Sequence, residues 1–187
     1  MNSKKNTLIR DIGFFKSIRA LCSAALLAAT AVVLAYICKA FTFTPSLRLT
    51  FENLPLILSG FIFGPFIGSL TGIVSDLVST AATYGFGGIN PILTVGAASV
   101  GLVSGLVSHF VLIRNTNLQI ILSTYAAHII ANMLIKSAGL YLYYSTPLPE
   151  LMLRVVLYLG IAAAESFLLI NLLKSKGIKK AIGGIIK

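Results

Sequence analysis

The chain lacks tryptophan altogether and has few charged residues and few cysteines. Lys, Arg, Asp and Glu together make up 11% of its 187 residues, whereas a soluble domain usually carries about 25%. Apolar residues make up 57%, so a water-soluble domain is excluded and we predict an integral membrane protein. Cys22 and Cys38 fall in one apolar segment. In a single helix they stand roughly 24 Å apart at about 1.5 Å per residue, too far for a disulfide bond.

Sequence motifs for catalysis and metal binding are also missing. The chain has no phosphate-binding G-x-x-x-x-G-K-[ST] loop and no G-x-S-x-G turn. Asp76 and Glu165 stand alone, and His109 and His128 have no Cys or carboxylate at the spacing of metal ligands. We therefore predict a non-catalytic protein without metal or cofactor, in which His109 has a structural role. A small membrane enzyme and a self-sufficient carrier are the alternatives from other functional classes.

Apolar runs long enough to span a membrane, about 17–25 residues, recur along the chain. They predict a single membrane domain over residues 18–173, with an interfacial N-terminus (1–17) and a basic tail (174–187). The predicted helices are 18–38, 52–64, 65–83, 92–113, 118–143 and 150–173. The second and third are short and rich in glycine, with Gly64 and Pro65 at their boundary. One long broken helix over 52–83 is the competing interpretation.

The distribution of basic residues predicts the orientation of these helices. The net charge is +10, and 11 of the 15 Lys and Arg residues lie in the termini or in the loop near Arg114. The positive-inside rule then places both termini in the cytoplasm. Because the basic residues gather at the chain ends rather than along one stripe, nucleic acid is not an expected partner. The four remaining cations, Lys39, Arg48, Lys136 and Arg154, fall in the outward half.

The most informative stretch of the sequence runs from Arg48 to Asp76. Within it, glycine recurs at every fourth position, at Gly60, Gly64, Gly68 and Gly72, a spacing that leaves a flat groove for a neighbouring membrane helix. The stretch resembles the signature of the substrate-capture (S) components of energy-coupling-factor (ECF) vitamin transporters, in particular the folate family. That signature has an Arg ahead of an apolar-Pro pair, then Gly, Gly-Pro, Gly, Gly and Asp. The resemblance covers roughly residues 20–175.

This resemblance implies an all-α bundle of six transmembrane helices with an outward-facing ligand pocket. It implies a subunit that captures folate outside a prokaryotic cell and delivers it through a membrane-embedded T subunit and two ATPases. The family uses an Ala-x-x-x-Ala pair on the first helix to dock against the T subunit, and Ala25 and Ala29 match that pair best. Another anionic vitamin, such as pantothenate, is the alternative ligand.

Cations in the outward half suit an anionic ligand, because the glutamate tail of folate carries two carboxylates. Arg48 occupies the Arg position of the family signature. Lys136 falls in the middle of the fifth helix, where either a pocket role or an ion pair with Glu165 accounts for it. Arg154, like Lys39, either binds the ligand or extends its charge to the membrane surface.

A pterin ring presents an amide edge beside an amino group, which a carboxylate or a carboxamide matches. Asn90, Asn132 and Glu165 are the candidates, and Asp76 is either a fourth or a structural hydrogen-bonding group. His128, Asn132 and Lys136 are spaced i, i+4 and i+8, so they share one helix face. We therefore include His128 in the predicted ligand site.

Aromatic residues near the predicted outer loops are candidates for stacking on a flat heterocycle. The residues that we predict to contact the ligand in this way are Tyr84, Phe86, Tyr141 and Tyr158. Tyr143 and Tyr144 are assigned instead to an aromatic belt at the membrane interface. Because thiamin-binding S components rely on tryptophan and this chain has none, thiamin is not the expected ligand.

Overall fold

The computed structural model describes residues 17–39, 42–44, 47–48, 50–111 and 115–175. Residues 42–44, 47–48 and 144 are described by their backbone alone. The side chain of Arg48 and that of Tyr144 therefore lie outside the description. The Arg48 backbone belongs to a short strand that precedes the second helix.

Six helices and one small hairpin make up the described chain, which confirms the predicted all-α bundle. The hairpin, which we did not predict, pairs its two strands antiparallel within the first loop. The fifth helix has three consecutive stretches, the middle one π-helical. The elements are α1 (Ile18–Lys39), β1 (Thr42–Thr44), β2 (Leu47–Arg48), α2 (Asn53–Phe63), α3 (Pro65–Tyr84), a 3₁₀ turn (Phe86–Gly88), α4 (Pro91–Phe110), α5 (Thr116–Ala127, His128–Lys136, Ser137–Tyr144) and α6 (Leu148–Lys174).

The boundary between α2 and α3 is a sharp reversal rather than a kink in one long helix. Gly64 ends α2 with φ 92°, a backbone conformation that glycine adopts most readily, and Pro65 begins α3. Ser59 and Thr71 hydrogen-bond across the reversal with 2.9 Å between their hydroxyl oxygens, so the two helices run antiparallel. The interpretation of residues 52–83 as one broken helix is therefore wrong.

Five of the described helices are long and apolar enough to cross a membrane, and α2 is the short one. Its 11 residues extend about 16 Å at 1.5 Å per residue, against a hydrocarbon core of about 30 Å. The α1–α2, α3–α4 and α5–α6 connections lie together, because Lys39 hydrogen-bonds Thr83 and Gly139 packs on Ile92. We call this end of the bundle the loop end.

Close backbone contacts join α2, α3 and α4, as the glycine spacing predicts. A Cβ atom on Gly68 would stand 2.6 Å from the Gly60 Cα and 2.7 Å from the Gly101 carbonyl oxygen. On Gly72 it would stand 2.8 Å from the Ala97 carbonyl carbon. We call this contact the glycine seam (Gly60, Gly68, Gly72, Gly101 and Gly105). It holds three helices at a distance that no larger residue allows.

Replacing Gly68 by alanine is expected to lower the free energy of unfolding by about 1–3 kcal/mol, the usual cost of overpacking a close contact. The added methyl group meets backbone atoms of Gly60 and Gly101, which cannot rotate away as a side chain can. The measurement is the unfolding of purified protein in detergent. Gly160→Ala is the matched control, because nothing lies within 4 Å of a Cβ there. Equal stability of the Gly68→Ala and Gly160→Ala proteins would contradict a close backbone contact at the glycine seam.

Candidate functional site

A small cleft opens between α1, α3, α4, α5 and the first turn of α2. The space between its lining atoms is about 250 Å³, part of it open to solvent. Its charged residues are Glu52, Asp76 and Lys136, and the remaining walls are small or apolar. The lining residues are Ala31, Ala35, Glu52, Leu56, Ser75, Asp76, Ser79, Ala97 and Lys136.

Lys136 reaches this cleft from the end of the π-helical stretch of α5. Its aliphatic stem lies flat on α4, since a Cβ on Gly96 would stand 2.5 Å from the Lys136 Cγ. Its Nζ is 4.0 Å from Glu52 Oε1, and both side chains are largely buried. The alternative prediction that Lys136 forms an ion pair with Glu165 is therefore wrong. A charge-assisted hydrogen bond is about 2.7–2.9 Å long, so Glu52 satisfies this ammonium group only loosely.

Asp76 has a structural hydrogen bond and a place in the cleft wall at the same time. Thr94 Oγ1 donates to Asp76 Oδ2 over 2.7 Å, which ties α3 to α4. The carboxylate also lines the cleft beside Ser75 and Ser79.

His128, Asn132 and Glu165 form a second polar cluster, further from the loop end than Lys136. His128 Nε2 is 2.7 Å from Glu165 Oε2, and Asn132 Nδ2 is 3.0 Å from His128 Nδ1. With the Asn132 amide donating to Nδ1, the imidazole carries its proton on Nε2 and donates it to the carboxylate. All three side chains are fully buried. In the described part of the chain, neither Glu165 Oε1 nor Asn132 Oδ1 has a hydrogen-bond partner.

Arg154 and Tyr158 extend this polar face of α6 towards the loop end. The Arg154 guanidinium carbon lies 4.9 Å from the centre of the Tyr158 ring, and Nη2 donates to the Tyr158 hydroxyl over 3.3 Å. The Tyr158 ring in turn lies 5.8 Å from that of His128. Both α6 residues are buried, so Arg154 does not extend its charge to the surface, the alternative considered from the sequence.

The remaining predicted residues lie at the rim of the loop end. Asn90 caps α4 by accepting a hydrogen bond from the Ile92 amide over 3.0 Å. Tyr84, Phe86 and Tyr141 are more than half exposed, and Lys39 Nζ stands 5.3 Å from the centre of the Tyr84 ring. The structure thus places the buried candidates in two clusters, one in the cleft at Lys136 and one at His128 and Glu165. The exposed rings of Tyr84, Phe86 and Tyr141 belong to neither cluster.

Three other predictions concern residues outside the pocket. Ala25 and Ala29 are exposed on α1, whereas Ala24 and Ala28 pack inward. His109 Nε2 lies 3.3 Å from the carbonyl oxygen of Phe61, an arrangement that fits a structural role. Tyr143 is exposed, as a residue of an interfacial belt would be.

Sequence reasoning missed Asn53 and Thr50, at the start of α2. Both are almost completely buried, and within the described residues no side-chain polar atom of either has a hydrogen-bond partner. Asn53 is seven residues before Gly60, about two helical turns along the same face. That spacing is the sequence signal by which Asn53 could have been placed on the same face of α2 as Gly60. Within the described residues, no three His, Cys, Asp or Glu side chains are grouped so that they could hold a metal ion.

Comparison with known proteins places the chain in a family. A family model described as "ECF transporter, substrate-specific component" matches residues 19–185. A solved structure described as FolT bound with folic acid is similar with a TM-score of 0.63 and 24% identity, covering 79% of this chain and 90% of that one. No curated protein sequence matches. The chain therefore belongs to the family of substrate-specific components of ECF transporters.

Proposed function

We propose that this protein is the folate-binding subunit of an ECF importer. The observation that carries the proposal is the burial of two cations, Lys136 and Arg154, inside an apolar bundle. Buried charge in a membrane protein is costly and is typical of a substrate site. Folate brings two carboxylates on its glutamate tail, which an Arg fork and a Lys ammonium group both bind. The similarity in fold to FolT bound with folic acid supports this choice of ligand.

The loop end faces outward in this proposal, and both termini lie in the cytoplasm of a prokaryotic cell. Ligand enters past Lys39 and the Arg48 strand, whose positive charge attracts an anion from a distance. The glutamate tail binds at Lys136 and Arg154. The heterocycle contacts the remaining predicted residues, which are Tyr84, Phe86, Asn90, His128, Asn132, Tyr141, Tyr158 and Glu165. The subunit does not hydrolyse ATP, and a T subunit with two ATPases supplies the energy for release.

A calorimetric screen of the purified protein tests the ligand. We expect folic acid to bind with a low-nanomolar dissociation constant, about 12 kcal/mol of binding free energy. Pantothenate, riboflavin, biotin and thiamin are the comparison ligands. Binding of one of these, with no heat from folic acid in the same assay, would refute the proposed ligand.

A large side chain in place of the exposed alanines of α1 is expected to abolish folate uptake by the whole transporter without affecting folate binding by the isolated subunit. Ala25→Trp or Ala29→Trp places a large ring on the exposed face of α1, where close approach of the T subunit requires small residues. The two measurements are folate uptake by cells that express the whole transporter and folate binding by the isolated subunit. Met152→Trp is the matched control, because Met152 is also strongly exposed but lies on α6. Loss of binding in the Ala25 or Ala29 variant would show that these alanines serve the internal packing instead.

A further inference from the structure

Asn53 is a fully buried carboxamide without hydrogen bonds to the part of the chain that the structure describes. Its exposed fraction is 0%, and neither Nδ2 nor Oδ1 has a partner there. Thr50 Oγ1, three residues earlier, is also buried and has no partner among the described residues. Native proteins pair the large majority of such groups, and each exception calls for an explanation. Two neighbouring residues with three unsatisfied atoms indicate a place where a ligand supplies the missing bonds.

The position of Asn53 connects it to the cleft. Its neighbours on α2, Glu52 and Leu56, both line that cleft. Gly60 packs on Gly101, and the next turn packs on Gly105, so α2 and α4 run in parallel. Counting two turns back from Gly60 and Gly101 along both helices puts Asn53 level with Thr94, whose hydroxyl binds Asp76 in the cleft wall.

The polar side chains Asn90, Asn132 and Asp76 each have at least one hydrogen-bond partner. Asn90 Oδ1 caps α4, Asn132 Nδ2 is bound to His128, and Asp76 accepts from Thr94. Asn53 differs from them because its donor and its acceptor, side by side in one plane, both have no partner among the described residues. The complementary group is a cyclic amide, in which an N–H stands next to a C=O.

We propose that Asn53 recognises the cyclic amide edge of the ligand's heterocycle through a pair of hydrogen bonds, with the Thr50 hydroxyl adding a third. For a folate this edge belongs to the pterin ring, so the inference rests on the proposed function and deepens it. Asn53 therefore sets the specificity for the ring, while Lys136 and Arg154 hold the acidic tail.

Asn53→Leu tests this division of roles, because leucine has nearly the same size but no polar atoms. Binding to the full-length purified protein is measured by calorimetry with folic acid and with p-aminobenzoylglutamate, the tail fragment that lacks the pterin ring. We expect the variant to bind folic acid about tenfold to a hundredfold more weakly, equivalent to about 1.4–2.8 kcal/mol. Its affinity for the tail fragment should not change. Asn171→Leu, at an exposed site at the other end of the bundle, is the matched control.

The stability of the ligand-free variant separates a recognition role from a structural one. Removing an unsatisfied buried amide leaves the unfolding temperature unchanged or raises it, whereas a structural residue would lower it. If leucine does not fit, Asn53→Ala replaces it in every assay. Unchanged folic acid affinity in a folded variant, or an equal loss for the tail fragment, would overturn the inference but not the folate proposal. A parent protein that binds another vitamin and no folate refutes both.

Discussion

Replacing His128 by leucine is expected to lower the free energy of unfolding by about 3–5 kcal/mol, the cost of stranding a buried charge. The substitution removes the donor 2.7 Å from Glu165 Oε2 and leaves a carboxylate with no exposed surface. It also removes the acceptor of the Asn132 amide. The measurement is unfolding of the purified protein in detergent, by denaturant or by heat.

The double variant His128→Leu with Glu165→Leu shows whether the pair itself causes that loss. Removing both partners of a buried pair is far less harmful than removing one, so the double variant should recover most of the lost stability. His109→Leu is the control at the second histidine. As a hydrogen bond, its Nε2 contact with the Phe61 carbonyl oxygen is worth about 1 kcal/mol. A single His128→Leu variant as stable as the parent would show that the pair does not hold α5 to α6.

Replacing Lys136 by methionine is expected to weaken folate binding by about 2–5 kcal/mol, the scale for truncating a desolvated charge partner. That range is roughly 30-fold to several-thousand-fold in the dissociation constant. Methionine keeps the stem that packs on Gly96 and removes only the ammonium group. Calorimetry with folic acid measures the change.

Lys174→Met is the matched control for that experiment, because Lys174 is exposed at the far end of α6. It should bind folate as the parent does. Lys136→Met also removes the partner of Glu52 at 4.0 Å, so its unfolding is measured beside its affinity. A folded Lys136→Met protein with parental affinity would remove the main support for an anionic ligand at this cleft.

The helices and the glycine seam were predictable because their signals are local. Apolar runs interrupted at Gly64 and Pro65 predict the number of helices, whereas the reversal between α2 and α3 was one of two interpretations that the sequence left open. Glycine at every fourth position predicts a close contact between helices, and Gly68 makes it with Gly60 and Gly101. Such patterns depend on spacing within one segment, so no knowledge of the neighbouring helix is needed.

The partners of the buried charges were not predictable, because pairing depends on how each helix is rotated. The sequence offered Glu165 as a partner of Lys136, but Lys136 lies near Glu52 while Glu165 lies against His128. Residues 128–136 form a π-helix, and π-helices have no characteristic amino-acid composition by which the sequence could predict them. Asn53 escaped notice because a polar residue ahead of a proline usually marks only the start of a helix.

The glycine seam has a mechanical consequence. Side chains let two helices slide by small rotamer changes, but α2, α3 and α4 meet backbone to backbone at the seam, where no such adjustment exists. We therefore expect these three helices to move as one body when the bundle rearranges. Relative motion is then expected in α1, α5 and α6, which carry the exposed alanines, Lys136 and Arg154. Since Asn53 and Asp76 belong to the rigid body, a ligand held by both groups of residues would couple the moving helices to the fixed ones.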